Sequence, residues 1–241
     1  RASGRIQYQF DAGNKLDGVP VWVLLVGQPS CGGTTMVDAL GDLAHTYMLS
    51  NATKAAMLSA TPAKDKAKGA TGGILREVER DGGWGVLLWP DFTSVLKMPA
   101  EARDELMEVI RQVFDRRYSR PVGTDGARRL EWAGKVGLIG KCTPAIDQHY
   151  HVINEMGPRS LFYRYKELGH SEALAKGGRA IGNMGNSRMQ QELRDAVLLH
   201  MEGVRVEARE LKHQEQRKVI AISWMASKGR SVVVRDNYTR E

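Results

Sequence analysis

The chain has 241 residues, of which 42% are hydrophobic and 26% charged, with a formal net charge of +7. That length and composition suit one large soluble domain, or a core with a small appendage. No apolar run approaches the roughly 20 residues that cross a bilayer, so no membrane partner is expected, and two cysteines, Cys31 and Cys142, are too few for a disulfide scaffold and fit a reducing cytoplasm.

The chain opens at Arg1 with no signal-peptide pattern, and both of its ends read as cuts within a longer polypeptide. Residues 1–18 are a polar lead-in. Residues 21–26 (VWVLLV) form a short apolar run stopped by glycine, as buried parallel strands are. Residues 34–49 read as a helix with Met36, Val37, Leu40, Leu43 and Ala44 on one face. Residues 54–60 suggest a second strand, 62–73 a basic loop and 74–79 a helical turn. Residues 86–89 (VLLW) are another buried strand, ended by Pro90 and Asp91. Residues 101–118 form an amphipathic helix with Leu106, Val109, Ile110 and Val113 in register. A hairpin follows over 120–132, turning at Thr124-Asp125-Gly126. Residues 135–140 (KVGLIG) and 161–165 (LFYRY) complete the strands.

Beyond residue 166 the strands stop. Residues 172–201 and 206–234 read as mainly helical, with glycines at 177, 178, 182 and 185 marking 175–187 as a linker. Strands alternating with helices, then a helical tail, imply an α/β protein: a parallel-sheet core over 19–165 and a helical lid over 166–241.

Residues 27–35 read GQPSCGGTT: Gly27, Gln28, Pro29, Ser30, Cys31, Gly32, Gly33, Thr34 and Thr35. A strand precedes them and a helix follows, the setting of a phosphate-binding loop. Such a loop turns backbone N–H groups toward an anion. Thr34 stands where a hydroxyl would hold Mg²⁺, with Thr35 beside it. Gly33 occupies the position of the lysine that reaches the terminal phosphates. Losing that ammonium harms hydrolysis more than binding, because developing charge loses a partner. Lys64, Lys66, Lys68 and Lys141 are the cations that could replace it, and the sequence does not say which reaches the loop. The histidines are scattered, and His149, His151 and Asp147 match no dependable metal-ligand spacing. The basic balance favours polyanion partners such as nucleic acid.

The order of these segments resembles AAA-type P-loop ATPases of phages and mobile elements, and is distantly similar to minichromosome maintenance helicases. The resemblance covers about residues 19–164. It keeps Pro29, Ser30, Gly32 and Thr34 of the family loop but not its lysine. KGATGGILREV (68–78) resembles the family segment that precedes Walker B, and VLLWPDFTSVL (86–96) resembles Walker B itself. Pro90 then falls at the metal-binding acid and Asp91 at the catalytic acid. GLIGKCTPAID (137–147) resembles the sensor 1 strand, with Thr143 as the polar tip, and MGPRSLFYR (156–164) resembles the arginine-containing segment. Arg159 would act as a finger in trans, with Arg164 as runner-up. The hairpin resembles one that touches DNA in related helicases, which implicates Arg120, Arg128, Arg129 and Lys135.

This resemblance implies a P-loop NTPase of AAA type that uses ATP and Mg²⁺. Thr34 and Asp91 would serve the metal, and Asp91, Thr143 and Arg159 the chemistry. It implies a homo-oligomer, a hexameric ring among its forms, acting as a DNA-replication motor or loader. The tail, residues 228–241, resembles the family segment leading to a further domain. Whether ATP is hydrolysed stays open, because Gly33 and Pro90 depart from pattern. Two alternatives remain beside the motor: a catalytically weakened nucleotide-binding or scaffolding module, and a basic DNA-binding domain without nucleotide.

Overall fold

A computed structural model describes residues 13–29, 31–50, 52–59, 71–122, 128–149, 152, 157–166, 169–183, 185–204 and 210–231. Five strands make one parallel sheet in the order β2-β3-β6-β1-β7. They are β1 (Trp22–Val26), β2 (Thr46–Met48), β3 (Trp84–Trp89), β6 (Lys135–Cys142) and β7 (Ser160–Arg164). All five residues of β1 are buried, as a central strand covered on both faces requires. In register, Leu25 lies between Lys141 of β6 and Tyr163 of β7.

The alternation of side chains splits the core in two. Trp22, Leu24 and Val26 face one layer with Leu87, Trp89 and Leu138. That layer also receives α2 (Lys54–Met57), α3 (Ile74–Arg80), α4 (Thr93–Leu96) and α5 (Ala100–Phe114). Val23 and Leu25 face the other layer, with Val86, Leu88 and Ile139. There they meet Val37 and Leu40, from α1 (Gly33–Asp38) and just beyond it, and Val197 and Met201 of α7 (Ser187–Glu202). The amphipathic helix expected over 101–118 is α5, which buries Leu106, Met107, Val109, Ile110 and Val113 but ends at Phe114, residues 117–118 being strand.

Three expectations are corrected. The second strand is Thr46–Met48, inside the segment read as helix, while residues 54–57 are helical. The α1 helix stops at Asp38 because the chain turns through Gly41 and through His45, whose φ is 61°. Thr46 Oγ1 closes that turn by donating to the Leu43 carbonyl at 2.7 Å. The α2 turn is fixed by Thr53, whose Oγ1 accepts the Ala56 N–H at 3.1 Å. Within the 175–187 segment read as a linker, residues 175–182 are helical, since α6 (His170–Gly182) runs through Gly177 and Gly178. It buries none of its residues, and each interior glycine costs it about 1 kcal/mol relative to alanine.

The chain divides into two units, Arg1–Val206 and Glu207–Glu241, so α6 and α7 group with the sheet rather than with the tail. Within the second unit, α8 (His213–Ser231) exposes Val219, Ile220, Ile222, Trp224 and Met225. Glu215 Oε2 accepts the Lys212 N–H at its start. Residues 60–70, 123–127, 205–209 and 232–241 lie outside the described residues. With them go the basic loop lysines 64, 66 and 68, the Thr124-Asp125-Gly126 turn and most of the tail. Among the described residues no helix is long and apolar enough to cross a membrane.

Candidate functional site

In an open parallel sheet, ligands bind beyond the carboxyl ends of the strands, where neighbouring connections leave to opposite faces. β1 and β6 are such a pair. The chain leaves β1 into α1 on one face, and leaves β6 through the 3-10 turn Pro144–Gln148, whose Ile146 joins the other face. The crevice between them is bounded by the loop after β1, by the end of β6, and by the end of β3, which pairs with β6 through Trp89 and Gly140.

The loop is held from below. The Gly27 N–H donates to the Cys142 carbonyl at 3.0 Å, and the Cys31 N–H to the Gln28 carbonyl at 3.2 Å. Gly27 is buried, and a Cβ there would lie 2.7 Å from the Tyr165 ring and 2.9 Å from Cys31 Sγ. Gly32 has φ 83°, the left-handed conformation that favours glycine, and it starts α1. Gln28, Pro29, Thr34 and Thr35 are exposed, and Cys31 is half-buried. Ser30 lies outside the described residues. The α1 helix is only six residues long, so its dipole is small and positive charge at the loop must come from side chains.

Two lysines come to the loop from other elements. Lys176 of α6 donates from Nζ to the Cys31 carbonyl at 2.6 Å, and it is the one residue of α6 that is not fully exposed. Lys141 of β6 runs its stem past Gly33. The sequence named Lys141 among four candidates, but nothing in it signalled Lys176.

Across the crevice, Asp91 is exposed at the end of β3, just after Pro90. The β3 and β6 ends are tied together at this point. The Phe92 N–H donates to the Lys141 carbonyl at 2.9 Å. The Thr143 N–H donates to Thr93 Oγ1 at 3.0 Å, and the two threonine hydroxyls are 3.4 Å apart. Thr93 was missed by the sequence reading, although its hydroxyl lies two positions after Asp91. Cys142 beside it is buried, and burial pushes its thiol above the ordinary range, opposed by the Thr93 hydrogen bond and by Lys141. Asp38, at the end of α1, is also raised by burial and partly offset by Arg194 of α7.

The two arginine candidates sit at opposite ends of β7. Arg164 pairs in register with Val26, at the loop end. Its guanidinium is spent in a bidentate pair with Asp147, at 2.8 and 2.6 Å. Arg159 precedes Ser160, which pairs with Trp22. That is the amino edge of the sheet, roughly 16 Å from the loop end at the usual strand rise. Arg159 lies 3.5 Å from Asp115 and over the Phe114 ring, with its Nε buried and without a hydrogen-bond partner among the described residues.

The hairpin forms from β4 (Arg117–Val122) and β5 (Arg128–Ala133). Tyr118, Leu130 and Trp132 turn inward, and half-buried Arg120 shares that inner row, paired with Leu130. Arg117 and Arg129 are exposed on the outer row; Arg129 is held toward Ser119 at 3.4 Å and Glu131 at 4.0 Å. Arg128 is placed on β5 by its backbone. Lys135 is buried, its ammonium donating to the Leu16 carbonyl and its pKa lowered chiefly by burial. Sequence reading missed Arg117.

A second cleft of about 600 Å³ follows the outer edge of β2, lined by Thr46, Met48, Ala55, Thr71, Ile74 and Glu77 among others. Among the described residues its lining carries one carboxylate, Glu77. Among the described residues no group of three or more His, Cys, Asp or Glu is placed to hold a metal ion, and His151 lies outside them. A search of protein-family models and of curated proteins finds no match to the chain.

Proposed function

We propose that this chain is a nucleotide-binding module of the AAA P-loop type that takes Mg²⁺-ATP in the crevice between residues 27–35 and the ends of β3 and β6. The observation that carries the reading is convergence. Two lysines reach the glycine-bearing loop that follows β1, whose two threonines are exposed, and an exposed aspartate follows β3 at the same carboxyl edge of the parallel sheet, which supports a site at its switch point. The chemistry of that set fits a polyanion with a hard cation. Gln28, Pro29, Gly32, Thr34 and Thr35 are exposed to solvent, hydroxyl and carboxylate oxygens are the ligands Mg²⁺ prefers, and lysines suit phosphate.

In this reading the exposed Thr34 hydroxyl and the Asp91 carboxylate would serve Mg²⁺, with Thr35 as a neighbouring donor. Bound Mg²⁺ would neutralise charge on the phosphates. Thr143 would orient a water at the terminal phosphate, and the Thr93 hydrogen bond fixes its backbone for that task. Arg159 is remote from the loop of its own chain, so its action would be on a neighbouring copy in an oligomer, after release from Asp115. Arg164, beside its own loop, positions Asp147 instead.

A weakened catalyst is favoured over a fast motor by one specific observation. Pro90 ends β3 where the resembled family carries an acid, and the nearby Asp147 is committed to Arg164, leaving Asp91 to serve metal or water. Binding with slow turnover follows. The outer row of the hairpin, Arg117 and Arg129, offers phosphate contacts, which fits a role on DNA in the replication of a phage or mobile element. The test is equilibrium binding of a fluorescent ATP analogue with and without Mg²⁺, followed by turnover with and without DNA. Absence of saturable binding overturns the reading.

A further inference from the structure

Lys141 is the next-to-last residue of β6 and lies in register with Leu25, two residues before Gly27. Its backbone is fixed by β1 on one side and by the Phe92 N–H on the other. From there its stem passes directly over Gly33. A Cβ added to Gly33 would sit 2.9 Å from Lys141 Cγ and 3.5 Å from Cε. The first distance is shorter than carbon atoms tolerate, and Cγ is close to the anchored backbone, so it cannot swing away cheaply. Glycine at 33 is therefore the space that Lys141 occupies. Lys141 as a whole is half-buried, as a lysine whose stem packs is. Its ammonium makes no hydrogen bond or ion pair among the described residues, whereas Lys176 is committed to the Cys31 carbonyl.

We propose that Lys141 is the relocated phosphate-binding cation of this site: the lysine missing from position 33 is supplied by the end of β6, for the terminal phosphates of a nucleoside triphosphate. The proposal rests on the nucleotide reading above. It gives one cause for two departures from the loop pattern, the loss of lysine at 33 and its replacement by the smallest residue. It also reverses a simple expectation. Restoring lysine at 33 alone does not rebuild the site, because the new side chain meets the Lys141 stem.

The experiment measures ATP and AMP affinity of the full chain, by displacement of a fluorescent ATP analogue without Mg²⁺. It compares the wild type with Lys141→Met, Lys141→Arg, Gly33→Lys and the double variant Gly33→Lys/Lys141→Ala. Thermal melting checks that each is folded. Lys141→Met keeps the stem and removes the charge. Its ATP affinity is expected to fall on the order of 10- to 100-fold, the scale of one lost charge-assisted contact, with AMP affinity nearly unchanged. Lys141→Arg retains most ATP binding. Gly33→Lys weakens ATP, and the double variant recovers it. Equal ATP affinity in wild type and Lys141→Met overturns the proposal, as does an equal loss for ATP and AMP, or a gain from Gly33→Lys alone. A wild type that binds no ATP fails at the first measurement and removes the nucleotide reading with it.

Discussion

The body of the sheet and its carboxyl edge are built from opposite materials. In the body, Trp22, Leu24, Leu87, Trp89 and Leu138 are at most 1% exposed, and the polar Trp22 Nε1 is satisfied by the Val136 carbonyl at 2.7 Å. A few residues further along the same strands, the edge carries Lys141, Thr143, Asp91 and Arg164, half-buried or exposed. The body is dry and closely packed, so it contributes stability. The edge is wet and charged, so its groups contribute little to folding, and those not paired within the chain, as Arg164 is with Asp147, are available to a ligand. Substitutions should separate the two properties.

The largest effect is expected in the body. Trp89→Ala, which empties a site against Phe92 (ring centroids 4.9 Å apart), should cost about 3–5 kcal/mol in chemical denaturation. A smaller effect is expected where the two regions meet. Thr93→Ala leaves the Thr143 N–H without its acceptor and should cost about 1–2 kcal/mol. It should also slow any ATP turnover while leaving ATP binding nearly intact, a split that kcat against KM would read. Equal losses of binding and stability would blur the distinction between body and edge.

The body was the more legible of the two in the sequence. Apolar runs at residues 21–26, 86–89 and 135–140 announce buried parallel strands because a strand covered on both faces needs apolar residues throughout. They became β1, β3 and β6. The short edge strand Thr46–Met48 was hidden, since only Tyr47 of its three residues is buried and no alternation marks it. The helix α6 was hidden by Gly177 and Gly178, whose low propensity argues against the structure they adopt. At the edge, the loop and Asp91 were visible from local pattern. Lys141 was one cation among four and Lys176 was not visible at all, because their approach to the loop is set by strand register and by a helix far along the chain. Thr93 hid for a similar reason, its partner lying just past the end of β6, 50 positions away.

Thiol chemistry sharpens the same contrast at low cost. Cys142 belongs to the body and Cys31 to the edge. In the native protein, iodoacetamide should modify Cys31 and spare Cys142, whose thiol is buried and pushed up. ATP should slow modification of Cys31, whose Sγ lies beside Gly27 and Gly33. Mass spectrometry of the labelled peptides reads both. The smallest effect is expected away from both regions, on the hairpin. Arg129→Ala should lower the salt slope of DNA binding by about one and leave stability unchanged, as measured by titration at several ionic strengths.

The most direct test of the central claim, that the carboxyl edge of this sheet is a nucleotide site, is equilibrium binding of a fluorescent ATP analogue to the chain, with and without Mg²⁺. The expected result is saturable binding that Mg²⁺ strengthens and that Thr34→Ala weakens without altering the melting temperature. No binding up to millimolar analogue, or binding indifferent to Thr34→Ala and to Mg²⁺, would contradict it.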